Sequence, residues 1–382
     1  EGVDLAGLRA GIMEAAEARN EVVQIDAEAL ETFAATLEAD RLKRASQIRF
    51  GLPLIFDNLE QEINFFALSH LLAFGTAWHQ DKPEKDEPHR DTILHGLIQL
   101  HMEGKKLDAD EIGGFPLWPL GIAFQIAITK EERIDGGPIR QDVPSDWRPH
   151  IDRIHETLNR VGAELLARGF KSLADFILSD EMQGHSRPAE KLKKGDLSAA
   201  LIIKRLTTCF QEFKDDEGGV AFQRKAQLMV EDLCARFRLR DPRLDLDDIA
   251  QLTLGADAET AMFLKTRGII KFAPALEDRV GKGKSIPAGS NEEIAIRAAA
   301  ASAVASIAAS VAKRSEQEVT SSMVSRYIDL AAKESHLKKL KEEEKDVRAD
   351  PDVRITEVFE TEELPDASPV SVMHRCLDSP HY

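Results

Sequence analysis

The sequence predicts an all-α fold: mostly helical, with at most a few short strands. Three observations carry that expectation. Apolar residues recur at steps of three and four along most of the chain. Runs alternating β-branched with polar residues are scarce. The aromatic residues that favour strands are few, with two Tyr and three Trp in 382 residues.

Taken in order, residues 1–50 read as an N-terminal helical segment packed on one compact unit spanning 51–382. Asp81–Arg90, Asp135–Pro149 and Gln183–Lys194 read as loops, being charged, Pro/Gly-rich or without apolar period. Ile151, Ile154, Leu158, Val161 and Leu165 share one helix face. Gly169 ends that helix, and Ser172 caps a short one, Leu173–Leu178. Leu201-Ile202-Ile203 and Gly268–Phe272 are the candidate extended pieces. Phe222–Leu233 reads as a helix with Ala226, Met229, Leu233 and Phe237 as its core stripe. Ser290 and Glu293 form a capping box before a long Ala-rich helix, Ile294–Lys313. Lys333–Asp346 reads as a solvated charged helix face, and Ile355–Pro369 as an acidic, partly disordered stretch.

Fifty basic against 67 acidic residues give a formal charge of −17. A chain so acidic repels phosphate backbones, so no nucleic-acid polymer is expected as partner or substrate unless a local basic patch overrides the total. No uninterrupted apolar run reaches the roughly 18 residues of a membrane span, and no secretory leader is visible, so no membrane partner is expected. Three scattered cysteines make no disulfide framework and fit a reducing, cytosolic or nuclear compartment. His95 and His101 are six apart, and His150 and His155 five apart, so neither pair stacks on one helix face; with HExxH and CxxC also absent, no metal is expected. Lys282-Gly283-Lys284-Ser285 imitates a phosphate loop, but Asp278 stands where its first glycine belongs, so a turn is expected.

The informative stretch is Phe222–Asp257. Lys225 and Asp232 are seven residues apart, two turns along one helix line. Asp245, Asp247 and Asp248 precede an apolar segment, as N-terminal capping residues do. Asp257 follows Gly255 and marks a helix end or kink.

Five segments then fall in the order of a known family. Leu59–Phe66 with Leu72–Gly75, Phe222–Leu233, Asp248–Asp257, Ile286–Ser290 with Glu293–Arg297, and His374-Arg375-Cys376 with Tyr382 resemble the queuosine salvage protein family. The resemblance runs from about Leu52 to Tyr382. It implies a helical fold similar to DNA glycosylases and hydrolysis of queuosine 5′-phosphate to queuine and ribose 5-phosphate, without cofactor, in queuine salvage for tRNA modification. It assigns Asp232, Asp257 and, third, Asp248 as the carboxylates that recognise the base and stabilise an oxocarbenium-like state. It implies Arg224 and Lys225 as cations, Phe74, Trp78 and Phe222 as rings, and His374 and Tyr382 as further substrate contacts. The family's Asp-Tyr-Arg-x-Pro-Gln is here Asp257-Ala258-Glu259-Thr260-Ala261-Met262, and its Tyr before Lys-Arg-Ala-Gln is Gln223. Those departures keep a second expectation open, a catalytically silent binding protein derived from the same family.

Overall fold

The structure, a computed structural model, describes residues 2–47, 52, 54–73, 92–134, 139–182 and 192–342. Fifteen helices and six short strands are described in the order α1 (Leu5–Ala18), β1 (Val23–Ile25), α2 (Ala27–Thr36), α3 (Ala39–Gln47), α4 (Leu59–Leu71), α5 (Thr92–Met102), α6 (Ala109–Ile112), α7 (Leu117–Ala123), β2 (Thr129–Arg133), β3 (Arg140–Pro144), α8 (Arg148–Ala167), α9 (Leu173–Ile177), α10 (Ala199–Cys209), β4 (Asp216–Glu217), β5 (Val220–Ala221), α11 (Arg224–Phe237), α12 (Ala258–Thr266), β6 (Ile270–Phe272), α13 (Pro274–Gly281), α14 (Asn291–Ser315) and α15 (Ser321–Glu342). The mostly helical expectation holds, and the strands form three separate antiparallel pairs. Contacts divide the chain into two units. The first combines residues 1–52, 215–236 and 247–382; the second combines 53–214 and 237–246.

In the second unit α8 is the central element. Its predicted stripe, Ile151, Ile154, Leu158, Val161 and Leu165, is wholly buried. Helix α6 crosses it at Gly162, where a Cβ would lie 2.3 Å from the Gly113 nitrogen, so only glycine admits the approach. Ser172 caps α9 by accepting from the Asp175 amide at 3.0 Å, as expected. Phe170, Phe176, Phe210 and Phe213 then meet edge to face in a chain. Leu201–Ile203, a candidate strand, lies inside α10 instead. Ser198 caps that helix at the Leu201 amide, and Ile202, Ile203 and Leu206 bury one helical face. The Asp135–Pro149 loop is also corrected in part. Residues 140–144 are β3, paired with β2 from Thr129↔Pro144 to Arg133↔Arg140. Most residues of that hairpin are exposed, which removes the polar alternation that marks a half-buried strand.

In the first unit α14 is the axis. Helices α1, α2, α12 and α15 pack around it, together with β1. Its alanines 298–301 and 303 are fully buried, and their small size lets the neighbours approach. By length and composition α14 is apolar enough to cross a membrane, contrary to the expectation from uninterrupted runs. Yet 78% of its most apolar 18-residue window is buried inside the protein, as in a core helix. Strand β1 pairs antiparallel with β6, Val23 opposite Phe272 and Ile25 opposite Ile270, so the Gly268–Phe272 expectation holds for its last three residues. Residues 282–283 form the turn expected where the phosphate-loop imitation stands.

Candidate functional site

The chemistry-bearing residues of the first unit gather where α11 begins. Asp215 precedes a hairpin of β4 and β5 turned by Gly218 and Gly219, both at positive φ. The chain returns so that the Phe222 and Gln223 amides donate to the Asp215 carbonyl at 2.9 and 3.3 Å. Gln223 takes a left-handed φ of +47°, an unusual conformation for a residue with a side chain. Its amide oxygen is buried without a hydrogen-bond partner. The Arg224 amide, first of α11, donates to Asp215 Oδ2 at 3.0 Å.

Arg297 reaches the same carboxylate from α14, Nη2 to Asp215 Oδ2 at 2.6 Å. Its Nη1 lies 3.4 Å from Glu293 Oε1, its Nε donates to the Ala256 carbonyl at 3.3 Å, and the guanidinium sits 4.0 Å from the Phe222 ring centre. Asp215, Glu293 and Arg297 are all 0% exposed. Ser290 caps α14 at the Glu293 amide, as the box predicts, but the Glu293 carboxylate turns to the Gly289 amide at 2.5 Å. Glu217 closes in on the same loop. A Cβ on Gly289 would stand 2.8 Å from Glu217 Oε2. Two carboxylates thus meet one guanidinium, and the charge of Arg297 also reaches a third, Glu217. Burial pushes the Glu293 carboxyl up, against the pull of Arg297; burial and then the Asp215 charge push up that of Glu217. An acidic cluster of this kind favours a positive charge nearby.

Beside this cluster, α11 and the segment 248–257 are joined. Gln227 Oε1 accepts from the Thr253 amide at 2.8 Å, while its Nε2 donates to the Phe222 carbonyl at 2.8 Å. Asp257 caps α12, Oδ1 accepting from the Thr260 amide at 2.8 Å, and its Oδ2 lies 3.5 Å from Arg224 Nε. Asp257 thus stands at a helix terminus, the start of α12, and not at a kink. Asp248 stands before the 3-10 turn Ile249–Gln251, partly buried. Lys225 is buried within α11. The stripe Ala226, Met229, Leu233 and Phe237 is buried as predicted. Asp232 lies eight residues beyond Arg224, about 12 Å along the helix axis. It is nearly buried and accepts from Arg236 Nε at 2.7 Å. The structure thus brings Arg224 and Asp257 together, sets Phe222 under Arg297, and places Asp232 two turns further along. Phe74, Trp78, His374 and Tyr382 lie outside the described residues, as do most of the loops 81–90 and 183–194 and the stretch 355–369.

Sequence reading missed Asp215, Glu217 and Gln227 as site residues, and quoted Glu293 and Arg297 without a role. One signal was available: Glu293 and Arg297 are four apart in a helix whose other residues nearby are small and apolar, where unpaired charges would be costly. Nothing local marks Asp215 as a site residue; the Arg297 guanidinium that meets it is 82 residues away.

A family model described as queuosine salvage protein matches residues 151–359, more than half of the chain. A protein of Sphaerobacter thermophilus named queuosine 5′-phosphate N-glycosylase/hydrolase is 35% identical over 127 residues, 32% of this chain and 38% of its own length. One of the same name from Dictyostelium discoideum is 30% identical over 113 residues, 28% of this chain and 35% of its own. A third, from Nematostella vectensis, is 25% identical over 184 residues, 47% of this chain and 52% of its own. The chain thus matches about a third to a half of the length of these relatives.

Proposed function

This chain belongs to the queuosine salvage protein family, and from that premise we propose that it hydrolyses the N-glycosidic bond of queuosine 5′-phosphate. The carrying observation is that two segments resembling the family's motifs, 222–233 and 248–257, are fastened to each other through Gln227–Thr253 and Arg224–Asp257. In the proposed reaction the C1′–N9 pair leaves on the base and positive charge spreads over C1′ and the ring oxygen. Water adds its oxygen to C1′, and its proton goes by way of a carboxylate to the departing nitrogen. The products are queuine and ribose 5-phosphate.

Asp257 and Asp232 are proposed as the carboxylates that stabilise this charge and hold the base, with Asp248 third. A 7-deazaguanine has no N7 to protonate, so recognition of its other edges carries more of the work. Its side-chain amine is cationic and suits an acidic surround. Arg224 and Lys225 are proposed for the 5′-phosphate. Phe74, Trp78 and Phe222 are proposed as base-facing rings, and His374 and Tyr382 as further contacts. Free queuine would serve tRNA modification in a cytosolic or nuclear compartment.

The test is release of queuine from queuosine 5′-phosphate, followed chromatographically in the presence of a chelator. The proposal expects release by the wild type. Asp257→Ser is the informative variant, because serine keeps the α12 cap but removes the carboxylate. Turnover should fall about a hundredfold while the melting temperature stays near wild type; unchanged turnover removes Asp257 from the mechanism. A second reading, a silent binding protein, is favoured by one observation. Ala258, Ala261 and Met262, where the family carries a Tyr, a Pro and a Gln, are buried in α12, and Glu259, where it carries an Arg, is partly buried. It expects queuine binding without release at any substrate concentration.

A further inference from the structure

Residues 248–257 form little regular structure: one 3-10 turn, then an irregular run to α12. Leu252, Thr253, Leu254 and Ala256 are nevertheless buried, so their backbone groups need partners from elsewhere. Side chains supply them. Arg297 takes the Ala256 carbonyl, and Gln227 takes the Thr253 amide. The remaining end is held from α1. Arg9 Nη2 donates to the Gln251 carbonyl at 3.0 Å and to the Leu252 carbonyl at 3.2 Å, and Arg9 Nε donates to Thr253 Oγ1 at 3.2 Å. One guanidinium therefore spans three consecutive residues, and Thr253 passes the constraint through Gln227 to Phe222, next to Gln223 and Arg224. The helix that carries Arg9 is itself fixed. Leu8, Ile12, Ala15 and Ala16 pack with Phe222, Ile294, Ala298 and Ala301 in one apolar cluster.

We infer that Arg9 is a positioning residue for the proposed hydrolysis: α1, which precedes the family-matching region 151–359, clamps the segment that carries Asp248 and delivers Asp257. The inference rests on the proposed function for its catalytic meaning, but the clamp itself can be measured without turnover. A planar fork reaches two carbonyls and a hydroxyl at once, whereas an ammonium is a single point donor; lysine should therefore not replace it.

The experiment compares the full chain with Arg9→Met, Arg9→Lys and Arg19→Met. Arg19, the residue that closes the same helix, is the matched control. It bonds Asn291 Oδ1 and the Ala15 carbonyl and touches none of 248–257. Two readouts are taken, hydrogen exchange of the peptide 251–256 and queuine release. In Arg9→Met and Arg9→Lys, exchange of that peptide should quicken at least about tenfold while α14 stays protected. The kcat should fall about tenfold with KM within about threefold, because misplacing a reacting group costs rate more than binding. Guanidinium ion added to Arg9→Met should restore part of the rate. Arg19→Met should change neither readout. Unchanged exchange in Arg9→Met overturns the clamp. Faster exchange with unchanged kcat overturns the positioning role, and so does faster exchange spread equally over α14. If the wild type releases no queuine, the functional reading fails on its own, and exchange still decides the clamp.

Discussion

Each unit buries an arginine against an aromatic ring, and the two are satisfied in opposite ways. Arg297 lies 4.0 Å from the Phe222 centre and Arg205 lies 4.3 Å from that of Phe176. Arg297 takes the carboxylates of Asp215 and Glu293. Arg205 donates to the carbonyls of Phe176, Ser179 and Glu181, where the chain leaves α9. Carbonyls neutralise a cation only partly, so burial pulls the Arg205 guanidinium down to about 10. The first unit concentrates formal charge and left-handed backbone beside the segments that resemble the family's motifs. The second uses a charge to finish a helix end. Buried charge of both signs gathered at one place marks a site; a buried cation whose hydrogen bonds go to carbonyls marks architecture.

The Arg297 cluster should respond most strongly to substitution. Arg297→Met leaves two buried carboxylates without their cation and should cost about 3–5 kcal/mol in urea unfolding. Adding Asp215→Asn should recover a measurable part, because the loss is electrostatic. Arg205→Met strands backbone carbonyls and should cost about 2 kcal/mol. No charge-neutralising partner substitution should rescue it, and a rescue would erase the distinction between the units.

Smaller effects sharpen it. Gln223→Gly relieves a left-handed φ and deletes a buried amide oxygen without a partner, so it should stabilise by about 1 kcal/mol. Gln125→Gly, at φ +54° on the surface of the second unit, relieves the backbone alone and should gain less. An equal gain from both denies any special cost at Gln223. The smallest effect is pH-dependent. Burial raises the Glu217 carboxyl, so the fold prefers it protonated, and stability is lost as pH rises through the folded value. Glu217→Gln should therefore raise the melting temperature at pH 7.5 by roughly 1–2 °C, discounted for partial exposure, and the gain should vanish below about pH 4.

Much of the architecture was legible because it is local. The α8 stripe, the Ser172 and Ser290 caps and the α11 stripe follow from spacings of three or four residues, and all are as read. The β2–β3 hairpin escaped because Thr129–Arg133 is polar on both faces, and Leu201–Ile203 misled because three branched residues suit a strand until the cap at Ser198 is counted. At the site, Asp257 and Arg224 could be named from family resemblance, but their meeting could not. Asp215 with Arg297, and Arg9 with Thr253, join residues 82 and 244 positions apart, a separation on which periodicity is silent.

Helix α14 is apolar on nearly every side, yet its wrapping comes from both directions along the chain. Helices α1, α2 and α3 are made roughly 240 to 290 residues before it, and α15 comes after it. The first unit therefore has a high contact order and should fold slowly, since early helices wait for a late partner. During that wait the nascent N-terminal helices expose the apolar faces that α14 later covers, and truncation before Asn291 should lower solubility.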